Sequence, residues 1–241
     1  MRRNIRIAVP RTGWVTAVRF GSGRQKRMSG RITALKAQQR NPQRINVFID
    51  GEFAFGLERI TAAWLRVGQE LSEQKIQELK QQDTLEVAYR KALRFLESRP
   101  HSENEIRKNL AKKGVTEEVT EQILERLRRS GLVNDEQFAA MWVQNRSEFR
   151  PRSRKALAYE MRRRGIASET IDEALTGYED KEETLAYQAA AKQARRYQNL
   201  ERTEFRRKLS GFLARRGFNY EVIAPVIERV WNEFTEKRAT E

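Results

Sequence analysis

The sequence has no cysteine and a single histidine, His101, which excludes a disulfide framework and any thiolate metal site and leaves one imidazole for nucleophilic catalysis. It also lacks a phosphate-cradling glycine loop with its lysine, and no set of His and carboxylates stands at metal-ligand spacing. No apolar run approaches the roughly 18 residues of a membrane-spanning helix, and the N-terminus lacks the continuous apolar core of a secretory signal. These absences fit a soluble protein without cofactor or metal, compatible with a reducing compartment, and they argue against an enzyme.

Acid is missing where base is dense. Residues 1–49 hold twelve Arg and Lys and no Asp or Glu, the first acid being Asp50. Residues 50–241 carry 36 basic and 33 acidic residues, so most of the net +15 sits in the first fifth of the chain. A concentrated positive segment attracts polyphosphate or an acidic protein face. A solvated tail has the same composition, as does an organelle transit peptide, but Pro10, Gly13, Gly21 and Gly23 interrupt the amphipathic helix a transit peptide needs.

A hydrophobic content of 39% beside 34% charged residues suits an elongated, helix-rich body better than one large core. Trp14–Phe20 alternates weakly, as a strand would, and Gly21-Ser22-Gly23 and Gly30 look like linker. Ile32–Gln39 and Ile45–Ile49 are expected as strands with a turn at Asn41-Pro42. Asp50-Gly51 is a two-residue hairpin turn, and Phe53 and Phe55 lie on the returning strand. Short helices are expected around Glu58–Leu65 and Ser72–Gln82, separated by Gly68. From about residue 84 the period is helical throughout: Leu85, Ala88, Leu93 and Leu96 form one apolar stripe, ended by Pro100. Ser102 with Glu105 forms a capping box for the next helix.

That helix introduces a repeat. Ile106-x₃-Leu110-x₃-Gly114 is matched by Leu157-x₃-Met161-x₃-Gly165 and by Leu209-x₃-Leu213-x₃-Gly217, the glycines lying 51 and 52 residues apart. Each glycine precedes an apolar residue (Val115, Ile166, Phe218) and a helix with apolar pairs at matching offsets: Val119 and Ile123, Ile171 and Leu175, Val222 and Val226. The fold class expected is mostly α: three tandem three-helix repeats stacked over a shared core into an elongated curved rod, after a small β-meander and short helices. The boundaries follow: 1–30, a basic N-terminal extension open to disorder; 31–83, the meander with short helices; 84–133, 134–180 and 181–236, the repeats; 237–241, a C-terminal tail.

Two basic clusters in the repeats are the candidate partner-binding sites. Residues 146–164 gather Arg146, Arg150, Arg152, Arg154, Lys155, Arg162, Arg163 and Arg164 against only Glu148 and Glu160. Residues 192–216 hold nine basic residues, among them Arg195, Arg196, Arg206, Arg207, Lys208, Arg215 and Arg216, against two acids. Cations in a helix's last turn are favoured by its dipole, which alone accounts for Arg162–Arg164 and Arg215–Arg216 but not for whole clusters. Treated as exposed charges, they suit an acidic protein groove, DNA phosphates, or both. Phe138 and Trp142, four apart on one helix, are expected in the core, as is Trp231; His101 is expected as a loop residue at a helix start. Ile123–Val133 also looks like the end of a winged-helix recognition element, which would require a β-hairpin wing soon after Val133.

Gly131-Leu132-Val133-Asn134-Asp135-Glu136-Gln137-Phe138-Ala139, with Trp142-Val143 after it, resembles the signature between the first two repeats of the RecX family. Arg150-Pro151-Arg152-Ser153, leading to Leu157, Glu160, Met161 and Gly165-Ile166, resembles that family's second repeat, and Arg44–Phe53 resembles its hairpin. The resemblance covers roughly residues 31–235 and leaves 1–30 outside. It implies a cytoplasmic, non-catalytic regulator that lies in the groove of the RecA–DNA filament and damps its growth, ATPase and strand exchange in recombination, DNA repair and the SOS response. The partners it implies are the RecA filament first and single- or double-stranded DNA second, without sequence preference, bound by a monomer. The alternative is a helical-repeat protein that binds DNA directly, without RecA.

Overall fold

A computed structural model describes residues 29–240, with side chains to residue 236. The Trp14–Phe20 strand, the Gly21–Gly23 linker and almost all of the basic extension lie outside the described residues.

The chain opens with a four-stranded antiparallel sheet in the order β3-β2-β1-β4, made of β1 (Gly30–Gln38), β2 (Asn41–Ile49), β3 (Glu52–Glu58) and β4 (Glu70–Leu71). The hairpin at Asp50-Gly51 forms as expected: both residues have positive φ, 49° and 84°, which match the right-handed twist of the flanking strands. Three details differ from the sequence expectation. The first turn sits at Gln39-Arg40, and Asn41-Pro42 begins β2 instead. Pro42 is tolerated there because β3 pairs with β2 only from Arg44 onward. The helix expected at Glu58–Leu65 shrinks to α1 (Arg59–Ala62), since Glu58 still belongs to β3. The two-residue β4, too short to carry a periodic signal, closes the sheet by pairing Leu71 with Gly30.

The helices expected at Ser72–Gln82 and 84–96 are one element, α2 (Glu73–Leu96), capped by Ser72. The division placed between residues 83 and 84 falls inside it. Ile76 and Leu79 of its first half enter the core under the sheet, with Ile32, Val47, Leu57 and Leu71, while Ala88 and Ala92 of its second half enter the next core. The half-buried Arg44 bridges Glu58 (3.2 Å) and Asp83 (3.0 Å), and Arg90 also pairs with Glu58, tying sheet to helix at that boundary.

The second half of α2 packs with α3 (Glu103–Lys112) and α4 (Glu117–Arg129) around Ile106, Leu110, Ile123, Leu124 and Leu127. The second unit is α5 (Asp135–Phe149), α6 (Arg154–Arg163) and α7 (Ser168–Ala174), closed over Leu157, Met161, Ile171 and Leu175. The third is α8 (Glu179–Ala194), α9 (Arg202–Ala214) and α10 (Tyr220–Thr240), around Phe205, Leu209, Leu213, Val226 and Val230. Removing one such leucine side chain from water contributes about 2 kcal/mol. The expectation of a shared core is corrected: each unit closes a core of its own, with side chains such as Leu185 of α8 reaching back into the preceding one. What joins the units is mostly polar.

Candidate functional site

The joint between units occurs twice with the same parts. The C-terminal end of α6 docks on the N-terminal end of α3: the Arg164 carbonyl accepts from Ser102 Oγ (2.7 Å) and Asn104 Nδ2 (3.2 Å). The Glu103 N–H donates to Asp135 Oδ1 (2.9 Å) at the head of α5. The C-terminal end of α9 docks likewise on the N-terminal end of α6. There Ser153 N–H donates to the Arg216 carbonyl (3.0 Å), Arg216 Nη1 donates to the Pro151 carbonyl (3.0 Å), and the Arg154 N–H donates to Glu182 of α8. Burial pushes the Asp135 and Glu182 carboxyls above the usual carboxylate range, although those N–H bonds oppose it. Helix ends that would otherwise leave backbone groups orphaned thus satisfy one another.

Those joints divide the fifteen basic residues singled out in the sequence. Arg146 and Arg152 both hold Glu160, at 3.0 and 2.8 Å, and Glu160 also accepts from Trp142 Nε1 (2.9 Å). Arg164 lies 3.8 Å from the Trp142 ring centre and 3.8 Å from Glu105 of the first unit; burial pulls its pKa down. Arg154 pairs with Asp172 (3.1 Å) and Glu179 (2.5 Å), and Arg216 lies over the Phe212 ring. Arg206 pairs with Glu228, and Arg207 and Lys208 share Glu204. Arg146, Arg152, Arg154, Arg164 and Arg216 are therefore half-buried parts of the frame, and treating them as exposed charges is corrected by these contacts. The tryptophan expected in the core is half-buried, between its stacking partner Phe138 and the two guanidinium groups of Arg146 and Arg164. Trp231 packs on Phe205 as expected. His101 lies in the loop before α3, as expected, but is buried there, stacked on Phe95.

Arg150, Lys155, Arg162, Arg163, Arg195, Arg196 and Arg215 are left exposed, with no carboxylate paired to any of them among the described residues. Lys155, Arg162 and Arg163 fall within about 100° of arc on α6, and exposed Tyr159 stands among them. Two exposed lysines of α3, Lys108 and Lys112, hold the corresponding face of the first unit; a search for dense clusters misses them. The repeat could have found one, because Lys112, Arg163 and Arg215 each stand two residues before a repeat glycine. Like charges gathered without counter-charge repel one another, and a polyanion or an acidic face relieves that repulsion. Among the described residues no three His, Asp or Glu gather into a group able to hold a metal ion, and no helix is long and apolar enough to cross a membrane. After Val133, where a winged helix would place its wing, α5 begins.

Four family descriptions match the chain in sequence: the N-terminal domain of regulatory protein RecX over residues 30–72, and the first, second and third three-helix domains of RecX over 88–127, 134–175 and 180–227. The regulatory protein RecX of Bacillus licheniformis is 30% identical over 200 residues, covering 82% of this chain and 76% of its own. The chain belongs to the RecX family. The RecX protein of Clostridium acetobutylicum is 28% identical over 84% of this chain and 97% of its own length. A crystal structure of regulatory protein RecX superposes with a TM-score of 0.64 at 28% identity, over 82% of this chain and 98% of that one. The three-unit architecture is thus a RecX architecture.

Proposed function

We propose that this RecX protein is a non-catalytic regulator that binds the RecA–DNA filament and restrains its ATPase, growth and strand exchange. RecA with its DNA is the primary partner, and free DNA, single- or double-stranded, is a secondary one held without sequence preference. The observation that carries this reading is the set of uncompensated cations on α6, with Arg195, Arg196 and Arg215 one unit further on. Joints that fix consecutive units end to end hold those charges about one unit apart, a spacing suited to successive protomers of a helical filament. Family membership supports it, because the relatives are themselves named regulatory proteins.

Added to RecA filaments already assembled on single-stranded DNA, at less than one molecule per RecA protomer, the protein is expected to lower ATP hydrolysis. Inhibition that appears only when the protein precedes RecA, and that tracks the coating of free DNA, would instead establish direct DNA competition and overturn the regulator reading.

A further inference from the structure

We infer that the outer face of α6 binds single-stranded nucleic acid, with Tyr159 as its base-stacking platform. The inference rests on the reading above, that this face meets a nucleoprotein filament, and adds which chemical form of the nucleic acid it takes.

Two tyrosines are exposed, Tyr159 on α6 and Tyr220 at the start of α10. Tyr178 is buried and its hydroxyl donates to the Arg152 carbonyl (2.9 Å), Tyr187 donates to Glu233 (2.6 Å), and the Tyr197 hydroxyl accepts from Gln193 (2.9 Å). Tyr159 is 59% exposed on the solvent face of a helix whose other face is filled by Leu157, Ala158 and Met161. It is the only large apolar side chain on that outer face, so the surface lacks the apolar area that a protein groove would bury. Around it stand Lys155, Arg162 and Arg163, with the Arg163 guanidinium 5.9 Å from the ring centre. A π-face flanked by cations that can grip phosphates is the arrangement by which unpaired bases are held with little regard to sequence.

The dipole of α6 favours Arg162 and Arg163 in its last turn but disfavours Lys155 in its first, so it does not account for the whole set. Its C-terminal carbonyl at Arg164 already receives Ser102 and Asn104 of the first unit. The same docking sets α3, which carries the exposed Lys108 and Lys112, against the end of α6. Charge alone would serve a duplex at least as well, since a duplex has the denser phosphates. The ring adds affinity only where a base is unstacked from its neighbours, which selects the single strand.

Binding of fluorescent oligothymidylate and of a fluorescent duplex, measured by anisotropy at one salt concentration with the full chain, tests this. Tyr159→Ala is expected to weaken oligothymidylate binding roughly tenfold and duplex binding less than twofold. Its melting temperature should not change, and Tyr159→Phe, which keeps the π-face, should bind as the unaltered chain does. Equal loss on both nucleic acids, no loss on either, or a Phe variant as weak as the Ala variant overturns the inference. The combined variant Lys155→Glu/Arg162→Glu/Arg163→Glu separates the two levels. If it weakens both nucleic acids while Tyr159→Ala weakens neither, stacking is refuted and the charged face stands; if it weakens neither, the face itself is refuted.

Discussion

His101 lies with its ring centre 3.7 Å from that of Phe95, its Nδ1 3.1 Å from Glu105 and its Nε2 3.3 Å from Ser98 Oγ. Burial holds its pKa below the ordinary value of 6.5, helped by the nearby charge of Arg99 and opposed by Glu105. The Glu105 carboxyl resists burial yet stays below its usual range, because Arg99 and His101 bond to its ionised form. A histidine with a depressed pKa favours the folded state while neutral. As pH falls below about 6.5 the unfolded chain takes the proton first, so this stabilisation is complete above that pH and is lost beneath it. Thermal melts between pH 8 and 6 should show the melting temperature falling more steeply for the unaltered chain than for His101→Phe. Parallel curves would mean that the ring carries no such linkage.

The helix ends are where the elements were half legible. Ser102 with Glu105 announced a capping box, and both halves of it form. The repeat glycines announced helix stops, and each has positive φ: 74° at Gly114, 80° at Gly165 and 91° at Gly217. Local pattern could not show what those stops touch, because the joint partners lie 60 to 65 residues apart in sequence. The continuity of α2 escaped for a related reason: its two halves serve different cores, so no single apolar stripe runs along it. Five of the fifteen basic residues proved structural because each meets a partner that the linear pattern does not point to. A sequence shows Arg152 and Glu160 as opposite charges but not as a contact 2.8 Å long. The joints also rank the glycines. Each Gly→Ala change strains a left-handed backbone by about 1 kcal/mol. At Gly114 nothing lies within 4 Å of the added methyl, whereas at Gly165 it would come within 2.5 Å of the Asn104 Cβ and at Gly217 within 2.7 Å of the Ala156 Cβ. Denaturant midpoints should therefore fall least for Gly114→Ala and clearly more for both Gly165→Ala and Gly217→Ala. An equal loss at all three positions would show that the joints are not close-packed.

At the scale of the molecule, each three-helix unit closes its own core and mates with its neighbour through helix ends and ion pairs. Such a body keeps cations in fixed succession without needing a pocket, which suits a partner that is itself a repeating filament. The joints also determine how its charge can be altered. Reversing Arg152, Arg154 or Arg164 would leave Glu160, Asp172 or Glu105, respectively, facing a like charge and would threaten the fold. Among the described residues Lys155, Arg162 and Arg163 carry no such partner, and exposed unpaired charges contribute little to stability. The most direct measurement is therefore ATP hydrolysis by pre-assembled RecA filaments titrated with the unaltered chain and with Lys155→Glu/Arg162→Glu/Arg163→Glu. The account predicts that the variant melts within a few degrees of the unaltered chain yet inhibits poorly. A folded variant that inhibits as well as the unaltered chain would contradict it.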